Sequence, residues 1–278
     1  MDRLRLGFSP CPNDAFVFHA LVHGLVAPTL DWEVHLEDVE TLNGMAENGE
    51  LDVAKVSYHA FGRIAPAWWM LGAGGALGRG VGPLVVARDA HAPLDGATVA
   101  TPGGRTTANL LFDLYAPPGA RRIEMRYDRI LAAVADGEVD AGLIIHESRF
   151  TYPEHGLERV VDLGAWWEGV SGTLIPLGGI AIRRDLPDAT IDAVARAVRD
   201  SVAAAFADPD ASAAYVAEHA QEMAPDVRRR HVETYVTEHS LDVGDDGRAA
   251  VRTLLDRAAD RGRIAPPPEA LFWPTPTP

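Results

Sequence analysis

The sequence predicts an α/β fold with two lobes and a cleft between them. Short apolar segments of strand length alternate with helical segments from Leu4 to Arg183. This alternation occurs as two separate series that divide near Gly82 and Pro83. Alternating strands and helices are typical of a parallel sheet that helices cover, so each series predicts one lobe.

The first series contains three predicted strands and two predicted helices. Asn13 and Asp14 are residue types that cap helices, and they precede an apolar segment that ends before Gly24. Asp38 occupies the corresponding place before the second helix. The predicted strands are residues 4–9, 32–36 and 53–57, and the predicted helices are residues 15–22 and 39–47.

The second series and a helical C-terminal region complete the predicted architecture. The pattern indicates strands at 84–88, 98–101, 123–127, 142–146 and 177–183, and helices at 106–115, 129–136, 191–207, 211–222, 227–238 and 248–261. Residues 266–278 are Pro-rich and predict a tail that Phe272 and Trp273 fix to the body.

The chain is expected to cross twice between the lobes, at Arg88 and at Gly178–Gly179. Lobe 1 then comprises residues 1–88 and 178–278, with the C-terminal helices packed on it, and lobe 2 comprises residues 89–177. The active site is expected in the cleft, where loops follow the carboxyl ends of strands.

Composition excludes several classes of function. The chain has 278 residues and a net charge of -15, which argues against non-specific binding to nucleic acid or to an anionic membrane. Its 25 basic residues are 24 Arg and a single Lys, Lys55, which follows Ala rather than Gly, so there is no P-loop. Lone Cys11 excludes an internal disulfide and a cysteine-based metal cluster, although its place before a helix predicts a lowered thiol pKa. No apolar segment of spanning length is present, so we expect a soluble, cytoplasmic protein.

One candidate site is the turn around Thr106 and Thr107. A predicted strand ends, Gly103 and Gly104 turn the chain, and the two threonines begin a helix. Free backbone N–H groups at a helix start bind a carboxylate or a phosphate, and hydroxyl groups add donors. The alternative is that Thr106 only caps the helix.

A second candidate is the polar segment that follows the buried strand at 142–146. His146 is the natural general base there, because an imidazole titrates near neutral pH. If the strand continued, Glu147 would point to the opposite face and would not orient His146. The alternative is a hydrogen-bonded structural histidine.

Lys55 lies at the end of the third predicted strand, two residues before Ser57, and is expected to face the same cleft. The alternative is a surface lysine whose stem packs on apolar neighbours. The Gly-rich segment at 72–83 is not a dinucleotide loop, because both G-x-G-x-x-G registers fail and a strand follows it. It predicts a close approach of the backbone near a lobe crossing.

The sequence contains three separated motifs: SPCPNDAF from Ser9, GGALGRGVGPLVV from Gly74 and HESRFTY from His146. Two further segments support them, DLGAWWE from Asp162 and SLDVG from Ser240. Together they resemble the 1,4-dihydroxy-6-naphthoate synthase family of the futalosine route to menaquinone. The resemblance extends over nearly the whole chain, with one departure, Ala15, where the family usually has Thr.

The resemblance implies a periplasmic-binding-protein-like type II fold used as a cytoplasmic, cofactor-independent lyase without a metal. It implies cyclic dehypoxanthine futalosine as the small-molecule substrate, carbon–carbon cleavage to 1,4-dihydroxy-6-naphthoate, and a monomer or homodimer that binds neither nucleic acid nor membrane. His146 matches the catalytic base. The implied substrate-binding residues are Ser9, Asn13, Lys55, Val56, Ser57, Thr106, Thr107 and Ala108.

Two other functions stay open at this point. Chorismate dehydratase of the same pathway shares the fold, although the HESRFTY segment resembles the naphthoate synthase instead. A solute-binding protein without chemistry is the second, and the polar segment after Ile145 argues against it.

Overall fold

The computed structural model describes residues 3–220 and 224–274. In these residues the chain forms a mixed α/β structure with two sheets and helices around them, which agrees with the predicted fold class. The twelve helices of the described part are α1 (Pro12–Val22), α2 (Val39–Glu47), α3 (Tyr58–Ile64), α4 (Thr107–Tyr115), α5 (Ile130–Ala135), α6 (Ser148–Thr151), α7 (Leu163–Ser171), α8 (Asp188–Ala207), α9 (Ala213–His219), α10 (Pro225–Tyr235), α11 (Glu238–Leu241) and α12 (Gly244–Asp260).

The first sheet contains six strands: β1 (Leu4–Phe8), β2 (Trp32–Leu36), β3 (Val53–Ser57), β4 (Trp68–Met70), β5 (Ala76–Gly78) and β11 (Ile175–Arg183). The order is β2-β1-β3-β11-β4, and β5 pairs with β11. β1 is parallel to β2 and to β3, whereas β11 is antiparallel to β3, β4 and β5.

The second sheet contains five strands: β6 (Leu84–Ala87), β7 (Thr98–Thr101), β8 (Arg121–Glu124), β9 (Ala141–Ile144) and β10 (Glu158–Asp162). The order is β10-β6-β9-β7-β8. β7 is parallel to β8 and β9, whereas β6 is antiparallel to β9 and β10. The prediction of purely parallel sheets is therefore wrong, because strands adjoining the two crossings run back against the βαβ strands.

The two crossings occur earlier in the chain than predicted. β6 already belongs to the second sheet, so the first crossing precedes Leu84 rather than lying at Arg88. β11 starts at Ile175 in the first sheet, so the second crossing precedes Gly178–Gly179. Both connections between the sheets are short, and neither contains a cluster of polar residues, the pattern by which a loop is recognised in a sequence.

The predicted start of the first helix is wrong by three residues. Asn13 and Asp14 do not cap it; they lie in its first turn, and Cys11 is the residue that precedes the helix. Proline is well tolerated at the first helical position, which is where Pro12 lies. The second helix is as predicted, since the Asp38 carboxylate accepts hydrogen bonds from the backbone N–H groups of Glu40 and Thr41.

The C-terminal helices return to the first lobe, as predicted, because α1 packs against α8, α9 and α10. Their bounds differ from the prediction by a few residues, and residues 221–222 of the predicted helix 211–222 lie outside the described residues. The tail is fixed as predicted: Phe272 forms a bridge with Met70, and the Trp273 indole N–H donates to Asp192 at 2.8 Å. Residues 275–278 lie outside the described part.

Several short elements escaped the sequence analysis. The strand expected at 123–127 is shifted to β8, and a 3-10 turn at Tyr127–Arg129 takes its end. β9 ends at Ile144, two residues before the expected end. The elements that were not predicted are α3, α6, α7, α11, β4, β5 and β10.

The first crossing depends on a close approach of two backbones. A Cβ atom on Gly82 would lie 2.3 Å from the Gly164 Cα atom, so the two segments meet without side chains between them. Arg149 also stabilises the contact between these segments, because its guanidinium donates to the carbonyls of Gly82 and Gly80 and pairs with Asp162 at 2.9 Å. The GGALGRGVGPLVV and HESRFTY motifs thereby meet at the first crossing.

Within the described residues, no helix combines the length and the apolar character needed to cross a membrane.

We expect Gly82→Ala to destabilise the protein by about 1–3 kcal/mol, because the added methyl group must displace backbone. Gly169→Ala on α7 is the matched control: its Cβ would meet nothing within 4 Å, so alanine there should stabilise the helix by up to about 1 kcal/mol. Urea unfolding of both variants measures the difference. Equal stability of the two variants would contradict the close-approach interpretation.

Candidate active site

A cavity opens between the two sheets and contains about 720 Å³ of space that no protein atom fills, part of it continuous with solvent. It is lined from the first lobe by loops that follow β1 and β3, and from the second lobe by the start of α4 and the end of β9. All nine residues that the sequence predicts for the site line this cavity: Ser9, Asn13, Lys55, Val56, Ser57, Thr106, Thr107, Ala108 and His146.

Lys55 is buried, with only 7% of its surface exposed, so it is not a surface lysine. Its Nζ atom lies 2.7 Å from Asp14 Oδ1 and donates to the Gly74 carbonyl at 3.0 Å. An ammonium group has three N–H donors, so these two partners leave a third for a ligand oxygen. The Gly-rich segment makes this contact by close approach, since a Cβ on Gly74, where φ is +79°, would lie 2.1 Å from the Ile180 side chain.

Asp14 is the centre of a buried hydrogen-bond network. Its Oδ2 atom accepts from the Ser9 hydroxyl at 2.7 Å, and its Oδ1 atom accepts from the Asn13 amide at 2.9 Å as well as from Lys55. Ser9 and Asn13 therefore reach the cavity while their polar groups already have protein partners. They shape the site and hold the carboxylate in place.

Ser57 and its neighbour Asn43 form a second polar pair. The Asn43 side chain donates to the Ser57 hydroxyl at 3.2 Å and accepts from the Ser57 backbone N–H at 2.9 Å. The Ser57 hydroxyl keeps its own proton for a further acceptor, because it is the acceptor in the bond to Asn43. Val56, between Lys55 and Ser57 in β3, is fully buried and also lines the cavity.

The start of α4 has the geometry of an anion site. The Thr106 hydroxyl caps the helix by accepting from the Asn109 N–H at 3.1 Å, and it donates to the Gly103 carbonyl. The Thr107 hydroxyl donates to the Leu177 carbonyl at 2.7 Å, which links α4 to β11. Both hydroxyl groups thus have structural partners. The donors that the first turn offers to a ligand are the backbone N–H groups of Thr107 and Ala108.

His146 lies where the strand β9 gives way to the cleft. Its φ angle is +55°, a left-handed conformation that non-glycine residues adopt rarely and at functional sites preferentially. The turn changes the direction in which the next side chain points. Glu147 therefore reaches a buried position close to His231, with 3.8 Å between its Oε2 atom and the His231 Nδ1 atom, instead of pointing away as a continued strand would require.

Three side chains from distant parts of the chain surround the His146 ring. The Cys11 sulfur lies 3.5 Å from Nδ1, the Tyr127 ring meets it edge-on with 5.0 Å between centroids, and the His231 ring is nearly parallel to it at 6.0 Å. Burial among these groups lowers the His146 pKa from 6.5 to about 4, and the Lys55 cation acts in the same direction against the carboxylates of Asp14 and Asp38. The imidazole is consequently neutral at physiological pH and able to accept a proton.

The expectation of a lowered thiol pKa at Cys11 is wrong. Burial raises the pKa of the Cys11 thiol well above its usual value, and the carboxylates of Asp14 and Glu147 add to the effect. The helix start does not overcome this loss of hydration. Cys11 is therefore a neutral thiol that contacts His146.

His231 and Tyr235 belong to the site but were missed by the sequence analysis. Both lie on α10, His231 is 0% exposed, and Tyr235 lines the cavity. No local motif marks them, because α10 follows β9 by about eighty residues and reaches the site through packing against α1 and β5.

A second, more polar chamber adjoins the cavity. It contains about 620 Å³ of unfilled space and shares Ser9, Val39 and His146 with the first. Its walls carry charged and polar side chains, among them an Arg126–Asp128 ion pair. His146 therefore stands between the first, mostly apolar chamber and this more polar one. The remaining residues that line the polar chamber are Pro10, Cys11, Leu36, Glu37, Asp38, Arg126, Tyr127 and Asp128.

The described residues contain no group of three or more His, Cys, Asp or Glu side chains arranged to hold a metal ion.

Comparison with known proteins identifies the family. A model described as menaquinone biosynthesis matches residues 4–260. A protein of Thermus thermophilus named "1,4-dihydroxy-6-naphtoate synthase" is 55% identical over 98% of this chain and 100% of its own length. One of the same name from Streptomyces coelicolor is 52% identical over 98% of this chain and 99% of its own.

Solved structures agree in fold. A protein of Archaeoglobus fulgidus superposes with a TM-score of 0.90 at 38% identity, over 94% of this chain and 98% of that one. The periplasmic aliphatic sulphonate binding protein of Escherichia coli superposes with a TM-score of 0.68 at 13% identity, over 100% of this chain and 93% of that one. The fold is thus that of the periplasmic binding proteins, and the chain belongs to the menaquinone biosynthesis family, as an enzyme.

Proposed function

We propose that this enzyme converts cyclic dehypoxanthine futalosine into 1,4-dihydroxy-6-naphthoate by breaking a carbon–carbon bond, as a lyase that uses no metal or organic cofactor. The observation that carries the proposal is a neutral His146 placed between an apolar chamber and a polar one. The full-length relatives named for this product support the same assignment. We further propose that the enzyme acts in the cytoplasm as a monomer or homodimer, which cell fractionation and light scattering test.

The two chambers fit the two parts of such a substrate. The apolar chamber offers Leu42, Val81 and Leu177 among its walls to a bicyclic acid. The N–H groups at the start of α4 receive the carboxylate there. The sugar-derived part, which carries hydroxyl groups, then extends past His146 into the polar chamber, where Asp38 and Arg126 offer hydrogen-bond partners.

The arrangement supports a base-initiated cleavage. The His146 imidazole removes a proton from the carbon skeleton. The bond to the sugar-derived part then breaks, and its electron pair passes to a carbonyl oxygen of the ring system. The pair from the C–H bond becomes a double bond in the sugar-derived part, which leaves as an enol, and formation of the aromatic ring drives the step. The third N–H of Lys55 and the Ser57 hydroxyl stabilise the negative charge that develops on the substrate oxygen.

An assay with the purified enzyme tests the proposal. Cyclic dehypoxanthine futalosine and, separately, chorismate are incubated with the protein, and 1,4-dihydroxy-6-naphthoate is followed by chromatography. We expect conversion of the first compound only. Binding without any conversion would favour a solute-binding protein, and dehydration of chorismate would favour the other enzyme of the pathway.

We expect His146→Asn to lower kcat by about 100-fold or more, because general-base catalysis contributes 10²–10⁴-fold. Asparagine keeps a polar side chain of similar reach, so the dissociation constant of the product should change by less than about threefold. His155→Asn, at an exposed position, is the matched control and should be neutral. Retained binding with near-normal turnover in His146→Asn would remove His146 from the base role.

The pH dependence follows from the lowered pKa of His146, about 4 against an ordinary 6.5. Activity requires the neutral ring, so kcat/KM should stay level as the pH falls through 6.5 and decline only as it approaches 4. Initial rates measured between about pH 3.5 and 8 give the pH profile of kcat/KM, and circular dichroism verifies that the protein stays folded. An acid limb centred near 6.5 would show that the ring is not buried as described.

We expect Lys55→Arg to lower kcat/KM by about tenfold or more, since the larger guanidinium cannot occupy the buried place beside Asp14 and Gly74 without moving them. Arg199→Lys on α8, an exposed position, is the reverse exchange and should leave the kinetics unchanged. Steady-state kinetics of the two variants measure the change in kcat/KM. Wild-type kinetics in Lys55→Arg would mean that the cation takes no part in the reaction.

A further inference from the structure

His231 combines complete burial with a place beside the catalytic ring. It is 0% exposed and lies between the rings of Tyr235 and Phe150, with centroid separations of 4.8 and 6.4 Å. Its own ring is inclined by only 14° to that of His146 at 6.0 Å, the geometry of an offset stack. Packing alone does not explain a histidine in such surroundings, because an apolar side chain of similar size fills the space without the free-energy cost of burying polar atoms.

The protons of His231 are fixed by a chain of hydrogen bonds that starts at Lys55. Lys55 pairs with the Asp14 carboxylate, and this carboxylate accepts from the Asn13 amide N–H group. The carbonyl oxygen of Asn13 must then face His231, since the opposite orientation would set that oxygen against the carboxylate. His231 Nε2 lies 2.9 Å from this oxygen and is therefore the protonated nitrogen.

The second nitrogen of His231 carries no proton in this arrangement. Nδ1 is buried, has no hydrogen-bond partner among the described residues, and lies 3.8 Å from Glu147 Oε2, beyond hydrogen-bond distance. Burial and the neighbouring His146 lower the pKa of His231 well below 6.5. The His231 ring is thus neutral, and its hydrogen bond to Asn13 fixes its orientation beside His146.

From this geometry we infer that His231 is a positioning residue for His146. Its plane holds the His146 ring at the junction of the two chambers, and the Lys55–Asp14–Asn13 chain prevents it from rotating. The neutral ring also accommodates the positive charge that His146 acquires when it takes the substrate proton. The inference rests on the proposed function, because it assigns a partner to the base of that reaction.

Two substitutions separate the plane from the hydrogen bond. His231→Phe keeps an aromatic plane and loses the donor to Asn13, whereas His231→Gln keeps an amide donor and loses the plane. Val227→Ala is the control: Val227 is buried on the same helix, so its truncation loosens α10 without touching His146.

We expect kcat to fall by about tenfold or more in both His231 variants, because a displaced general base loses rate steeply with distance. The product dissociation constant should change by less than about threefold in both, and Val227→Ala should keep wild-type kinetics. In His231→Gln the acid limb of kcat/KM should move up by about one pH unit as the His146 ring becomes better hydrated. In His231→Phe, which keeps the surroundings apolar, the limb should stay in place.

The groups that face these two rings stay unchanged in the His231 variants. A shift in the acid limb of the kcat/KM profile therefore results from the change at His231. They are Cys11, Asp14, Asp38, Lys55 and Tyr127 around His146, and Asn13, Glu147, Phe150 and Tyr235 around His231.

A measurement without turnover keeps the inference separate from the proposed function. Titration of histidine-labelled protein by NMR gives the His146 pKa directly, with His146→Asn to assign the resonance. The inference requires that this pKa rises in His231→Gln and not in Val227→Ala. It is overturned if the His146 titration is the same in His231→Gln as in the wild type, or if both His231 variants keep wild-type kcat. Absence of turnover in the wild type would instead contradict the proposed function.

Discussion

The buried ion pair between Lys55 and Asp14 is the interaction on which the site depends. Two charges at 8% and 4% side-chain exposure are costly to remove from water, and the cost is offset only when every remaining polar atom has a partner. Here the partners come from three segments: Ser9 from the turn after β1, Asn13 from the first turn of α1, and the Gly74 carbonyl from the Gly-rich segment. Because the pair needs all of them, it fixes these segments relative to one another.

The ion pair extends its effect to the second lobe through histidine. Asn13, held by Asp14, determines the proton position on His231, and His231 lies against His146 at the end of β9. A single network thereby spans β3, α1, α10 and the end of β9. His146 itself has a left-handed backbone, a strained conformation that persists only where the surrounding structure holds it.

The periplasmic-binding-protein fold supplies a cleft, and in this chain one chamber of the cleft is lined mostly by apolar residues. The Escherichia coli protein of this fold to which the chain is similar is a periplasmic aliphatic sulphonate binding protein. In this chain the His146 imidazole stands at the boundary between the apolar and the polar chamber. That position fits the proposed reaction, in which a bond between two unlike parts of a substrate is exposed to a base.

The sequence by itself determined the α/β class, the strands β1 to β3, the cap of α2 and the places of Lys55, Thr106, Thr107 and His146 at strand ends or a helix start, because these depend on local patterns of apolar and polar residues. The other predicted cavity-lining residues came from the resemblance to the family. The sequence did not determine the antiparallel strands, the crossings or the place of His231. Strand direction depends on pairing between distant segments, and His231 reaches His146 through the packing of α10 on α1 and β5. The hydroxyls of Thr106 and Thr107 show the same division: their position at a helix start was evident locally, but only the tertiary structure shows that both serve the protein and leave the backbone N–H groups for a ligand. Local sequence fixes which groups are available, whereas long-range packing decides which of them are already used.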